Sequence, residues 1–101
     1  MTQAPPPSDP APQAARPETP QNRLRRLRMR SWRRGMREMD LLLGPFADAE
    51  LDELAPGELD VYERFLSEND QDLYLWVTGA RGGPDMFEGI LRRIVAFHAI
   101  A

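Results

Sequence analysis

The sequence predicts an all-α protein, a small five-helix bundle behind a disordered, Pro-rich N-terminal tail. Three observations carry this reading. From Asn22 onward apolar residues return every three or four positions, which places them on one face of a helix. No stretch alternates with period two for long enough to make a strand. Pro and Gly fall between the periodic stretches, where helices start and stop. At 101 residues there is room for one domain. The division expected is residues 1–21 as tail and 22–101 as helical domain.

The tail is rich in Pro, Ala and Gln and has no aromatic residue and no Ile, Leu or Val. It cannot bury enough apolar surface to offset the entropy of ordering it. Asn22 then serves as cap of a first helix, with Leu24, Leu27 and Ser31 on one face and Arg25, Arg26, Arg28 and Arg33 on the others. Gly35 interrupts the pattern. A second helix starts near Met36 and lines up Met36, Met39, Leu43 and Phe46. Gly44-Pro45 falls inside it, and because proline removes a helical hydrogen bond a kink or short break is expected there. The pattern resumes at Ala47, Leu51 and Leu54. Pro56 suits the first position of a third helix, with Glu58 favourable in its first turn and Leu59, Tyr62, Phe65 and Leu66 facing inward. Asp70 reads as the cap of a short fourth helix carrying Leu73, Trp76 and Val77, closed by Gly79 in the left-handed conformation. After the loop 79–83, Pro84 opens a fifth helix with Phe87, Ile90, Leu91, Ile94, Val95 and Phe97 inward. Short connections favour antiparallel neighbours.

Composition excludes several functions. There is no Cys, so no disulfide framework, thiolate metal site or Cys nucleophile, and the lone His98 cannot build a His-rich centre or a triad. No apolar run approaches the roughly 18–20 residues of a membrane span. All 13 cationic residues are Arg, which reflects codon usage in a GC-rich genome. Their placement is uneven. Residues 22–37 hold eight Arg and no acid, and residues 38–72 hold twelve acids and one Arg. Such segregation signals an interaction surface.

The Arg strip is enough for non-specific attraction to nucleic acid, but the acidic body that follows opposes it, so a protein-docking face is preferred. A membrane-surface helix anchored by Leu24, Leu27, Met29 and Trp32 is disfavoured because Met29 lies away from the leucines around the helix. The acid pairs Asp48/Asp52 and Glu50/Glu53 read as solvated helix faces, His98 as a residue near a helix C-terminus that meets its dipole or packs there, and Trp76 and Phe87 as core. The sharpest feature is Arg34-Gly35-Met36-Arg37-Glu38. Gly35 supplies a joint that can take positive φ or let a partner come close, and Glu38 lies one turn along, within reach of Arg34 and Arg37. The bland alternative is that Glu38 caps the helix and pairs with Arg34.

Arg30 to Phe46 resembles the signature of the succinate dehydrogenase assembly factor 2 family, the bacterial members of which are called flavinators. The hallmark is Arg-Gly-x-x-Glu followed by Asp and a hydrophobic run, here Arg34, Gly35, Glu38, Asp40 and Leu41–Leu43. Asn69-Asp70-Gln71-Asp72-Leu73-Tyr74-Leu75-Trp76 resembles the family's acidic turn into an aromatic helix, departing at Gln71, where many members have Pro. The resemblance covers about residues 23–98. It implies a five-helix protein that binds the flavoprotein subunit of succinate dehydrogenase, and in some bacteria that of fumarate reductase. It promotes covalent attachment of FAD to a histidine of that partner. The chain then acts as a chaperone and not an enzyme, with no catalytic residue, no metal, no stably bound cofactor and no nucleic-acid partner, and is a monomer when free. Carried over residue by residue, Gly35 permits close approach, Glu38 is a polar contact and Arg34 a charge-assisted donor to the partner, with Trp32, Arg33, Arg37 and Asp40 as neighbours in the patch. The tail makes a poor mitochondrial presequence and a poor secretory signal, which with the Arg-only usage points to a bacterial cytoplasm over the mitochondrial matrix.

Overall fold

A computed structural model describes residues 17–100, and the expected disorder of the tail lies, up to Arg16, outside the described residues. Five α-helices follow in order: α1 (Pro20–Trp32), α2 (Arg37–Glu50), α3 (Pro56–Phe65), α4 (Asp70–Thr78) and α5 (Glu88–Ile100). Single 3-10 turns, Leu51–Glu53 and Asp85–Phe87, extend the end of α2 and precede α5. No strand occurs among the described residues, and no helix is long and apolar enough to cross a membrane.

The helices start where side chains satisfy the free backbone donors, although not always at the residue expected. Thr19, not Asn22, caps α1: its hydroxyl accepts from the Asn22 amide at 3.1 Å, and Pro20 occupies the first turn. The helix thus begins two residues before the expected boundary at Asn22. Asn69, one residue before the expected Asp70, caps α4 by accepting from the Asp72 amide at 2.9 Å. Glu58 reaches back to the Ala55 amide at 2.8 Å and fixes the start of α3 behind Pro56. Gly79 closes α4 at φ +81°, as its sequence position requires.

The expected break at Gly44-Pro45 is absent, since α2 runs unbroken through both residues. Pro45 deprives only the carbonyl of Leu41, an exposed residue to which water has access. The pair has another use. Gly44 is buried, and a Cβ built on it would overlap the Trp32 indole, with two ring carbons at 2.5 Å. The indole lies across the bare backbone of Gly44 and donates from Nε1 to Asp48 at 3.1 Å. Gly44→Ala should therefore be destabilising by about 1–3 kcal/mol, because overpacking outweighs the gain in helix propensity of at most about 1 kcal/mol. A urea titration followed by tryptophan fluorescence measures it.

The core is one cluster to which every helix contributes: Leu27 from α1, Met39, Leu43, Phe46 and Ala47 from α2, Leu51 and Leu54 after it, Tyr62, Phe65 and Leu66 from the α3 region, Leu73 from α4, and Phe87, Ile90 and Ile94 near α5. An aromatic series runs through it. Phe97 meets Phe46 edge-on at 5.9 Å, Phe46 meets Tyr62 at 5.7 Å, Tyr62 stacks on Phe65 at 6.2 Å, Phe65 meets Phe87 edge-on at 5.4 Å, and Phe87 meets Trp76 at 5.8 Å. Phe87 is thus core, as expected, while Trp76 is partly buried and packs against the core from its edge. Val95 departs from expectation and is 47% exposed. Ser31 and the Tyr62 hydroxyl are the polar atoms within the core. They share a hydrogen bond of 2.6 Å while Ser31 also donates to the Leu27 carbonyl, and burial pushes the Tyr62 phenol up to about 12.

The two charge strips meet in space. Arg23 pairs with Asp60 and Glu63 at 2.7 and 3.0 Å, Arg26 with Glu18 and Glu63 at 2.8 and 2.9 Å, and Arg28 with Asp52 at 2.9 Å. Three of the eight arginines that read in sequence as an anion-seeking strip thus hold α1 to the acids of α3 and of the turn after α2. The Arg26 hydrogen bond is the main cause that holds the carboxyls of Glu63 and Glu18 below the usual 4.5. Groups with a depressed folded pKa lend stability above their unfolded pKa and lose it as pH falls through the folded value. The urea midpoint should fall as pH drops below about 4.5, and Glu63→Gln should reduce that fall.

Candidate functional site

The joint between α1 and α2 is residues 33–36. Arg33 ends α1 at φ −126°, Gly35 takes φ +87° and Met36 is extended at φ −133° before α2 begins. The positive φ is the reason a glycine stands here, since an L side chain in that region is strained by roughly 1–2 kcal/mol. A Cβ built on Gly35 would meet nothing within 4 Å. Its outer side is open, so a partner's backbone can come against it.

Around this opening the side chains divide into two sets. Arg33, Arg37 and Glu38 are exposed and have no hydrogen-bond or ion-pair partner among the described residues. Glu38 neither caps α2 nor pairs with Arg34; Met36 is the N-cap residue and makes no side-chain cap bond. The carboxylate lies in the first turn of α2, where the helix dipole favours negative charge. Arg34 and Asp40 belong to the second set and face inward. The Arg34 side chain is 10% exposed. Its Nε donates to Asp70 Oδ1 at 2.8 Å, Nη1 to the Leu66 carbonyl at 2.6 Å and Nη2 to the Glu68 carbonyl at 2.9 Å. Its backbone N–H donates to Asp40 Oδ1 at 2.6 Å. The guanidinium expected to reach a partner is therefore engaged within the chain, and so is Asp40. A planar fork with three occupied donors suits this task in a way that lysine would not.

Trp32 sits beside the joint, 40% exposed, with one face on Gly44 and its N–H on Asp48. Met29, one turn before it on α1, is 46% exposed, and Leu41 on α2 is 52% exposed. The structure thus leaves an edge with an open glycine, two free arginines, one free carboxylate and a half-exposed indole. His98 reaches neither edge nor dipole alone: its Nε2 hydrogen-bonds the Leu42 carbonyl at 2.7 Å and ties the end of α5 to α2. Asp70, Gly44 and Asp48 are the residues sequence reasoning did not place at the joint. The acidic turn Asn69–Asp72 stood out, but its contact with Arg34 spans 36 residues and leaves no local trace.

Comparison with known proteins bears on the same residues. A family model described as flavinator of succinate dehydrogenase matches residues 25–98. Among curated proteins, the chain is similar to succinate dehydrogenase assembly factor 2, mitochondrial, from Meyerozyma guilliermondii, 44% identical over 61 residues, which are 60% of this chain and 45% of that protein. The protein of that name from Aspergillus flavus is 49% identical over 53 residues, 52% of this chain and 18% of its own length. Succinate dehydrogenase assembly factor 2-B, mitochondrial, from Drosophila mojavensis is 33% identical over 86 residues, 82% of this chain and 55% of its own. The chain thus spans between about a fifth and just over half of these relatives. The expectation of a bacterial cytoplasm is corrected here, because these relatives are named as mitochondrial proteins. Arg usage reports codons and the tail's charge reports solvation, and neither reports a compartment. With the family's match covering α1 to α5 and the Arg-Gly-x-x-Glu joint inside it, the chain belongs to the flavinator family of succinate dehydrogenase assembly factors.

Proposed function

We propose that the chain is an assembly factor that docks on the flavoprotein subunit of succinate dehydrogenase through the α1–α2 joint and promotes covalent attachment of FAD to that subunit. The observation that supports it most is Gly35: positive φ, open space where a Cβ would stand, and exposed Arg33, Arg37 and Glu38 around it without a partner among the described residues. A flat approach to backbone flanked by both charge signs suits a protein surface of mixed charge better than a uniformly anionic polymer. The pairing of Arg23, Arg26, Arg28 and Arg34 inside the fold removes half the charge a nucleic-acid reading relies on. In this role the chain supplies no reacting group. It holds the flavoprotein in a competent arrangement, and FAD belongs to the partner. The relatives' names point to a mitochondrial setting.

Tagged chain mixed with the purified flavoprotein subunit should co-elute with it on size exclusion, and the complex should survive nuclease treatment. Separate elution of the two, or a bound fraction of nucleic acid in place of the flavoprotein, would contradict the reading.

A further inference from the structure

Two separate stretches carry the family likeness, the Arg-Gly-x-x-Glu joint and the acidic turn before α4, and the structure links them through one side chain. Arg34 spans the gap: Asp70 Oδ1 at 2.8 Å, Leu66 O at 2.6 Å and Glu68 O at 2.9 Å all lie in the α3–α4 turn region. Asp70 is itself only 18% exposed in its side chain. A four-residue connection containing glycine has many conformations open to it, and the exposed side chains of this one, Arg33 and Arg37 beside it included, make no hydrogen bond among the described residues that would hold it. The backbone of the joint is pinned at Arg34 N to Asp40 and at Met39 N to Met36 O, and the Arg34 fork fixes that pinned segment to the rest of the fold.

We propose that Arg34 is a positioning residue: by gripping Asp70 and the carbonyls of Leu66 and Glu68, it holds the Gly35 joint in the one arrangement a flavoprotein can dock against. This rests on the joint being the docking edge. Its consequence is a population effect. When a binding-competent conformation is only fractionally populated, the apparent dissociation constant rises by the inverse of that fraction. The fork keeps the fraction near one, and neither Arg34 nor Asp70 needs to touch the partner.

The test is calorimetric titration of the full chain onto the flavoprotein subunit, with amide exchange of residues 34–40 read in the free chain. Asp70→Ala should weaken binding about tenfold and speed exchange across the joint. Asp70→Asn keeps an acceptor oxygen and should bind within about twofold of wild type. Arg34→Lys keeps the charge but not the fork, and should behave like Asp70→Ala even where alanine at position 70 lowers folding too far to measure. If Arg34 were instead a contact to the partner, Asp70→Ala would release its guanidinium, and binding equal to or tighter than wild type would overturn the proposal. Wild-type binding by Arg34→Lys would overturn it as well. Glu38→Ala separates the two levels of the argument. Weak binding there with unchanged Asp70→Ala defeats the positioning role alone, while wild-type binding by both defeats the docking edge too.

Discussion

Phe65→Ala is expected to remove about 3–5 kcal/mol of folding stability, enough to leave a domain of this size largely unfolded. Phe65 is fully buried at the middle of the aromatic series, stacked on Tyr62 and edge-on to Phe87. Truncation leaves a cavity at the point where α3 meets the turn before α5, and helices this short cannot close around it without losing their other contacts. Thermal unfolding followed by circular dichroism should show a transition shifted below the working range, or none. A melting temperature close to that of the wild type would mean that the core is organised elsewhere.

The second large effect is functional. Gly35→Arg should abolish co-elution with the flavoprotein while the helical spectrum persists. The strain of placing an L residue at φ +87° is roughly 1–2 kcal/mol, which a folded domain tolerates. The side chain enters solvent, since nothing beyond its own chain neighbours lies within 4 Å of the Cβ position, so it does not disturb the core. It would instead occupy the space a partner needs. Gly35→Ala separates the two causes: it carries the same backbone strain with little bulk and should keep part of the binding. If Gly35→Arg loses its helical signal, the glycine is there for the fold and not for the partner.

Much of the fold was legible because its helices obey local rules. The periodic leucines and aromatics of α2 to α5 mark the buried face, and Pro56, Gly79 and Gly35 mark ends and joints where the structure has them. The misses share a cause. Thr19 and Asn69 displaced Asn22 and Asp70 as caps because cap-forming residues within one turn of each other compete, and the winner is decided by which side chain points back at the free amides. Pro45 failed to break α2 because packing of Trp32 and Phe46 on either side outweighs one lost hydrogen bond at a solvent-facing turn. Of the site, the sequence singled out the Arg34–Glu38 stretch as a glycine joint with charges beside it, and only the family resemblance gave it a partner; the structure leaves the outer side of Gly35 open and Arg37 and Glu38 exposed. The inward turn of Arg34 and Asp40 was not legible, because a charged residue beside a glycine joint gives no sign of whether its partner is another chain or an acid 36 positions on. The same holds for the Arg strip, whose acids lie in the neighbouring stretch and meet it only after the helices pack.

Glu38 is an exposed carboxylate with no hydrogen-bond or ion-pair partner among the described residues, and its place in the first turn of α2 is its one visible contribution to the fold. Removing it should change stability by no more than about 0.5 kcal/mol. The decisive measurement is covalent flavin on the succinate dehydrogenase flavoprotein, read as fluorescence of the denatured subunit in a gel after coexpression with the chain. Wild-type chain should raise that fluorescence above the level without it, and Glu38→Ala should return it toward that level with its melting temperature unchanged. Flavin attachment undiminished by Glu38→Ala would contradict the claim that the α1–α2 joint is what the flavoprotein meets.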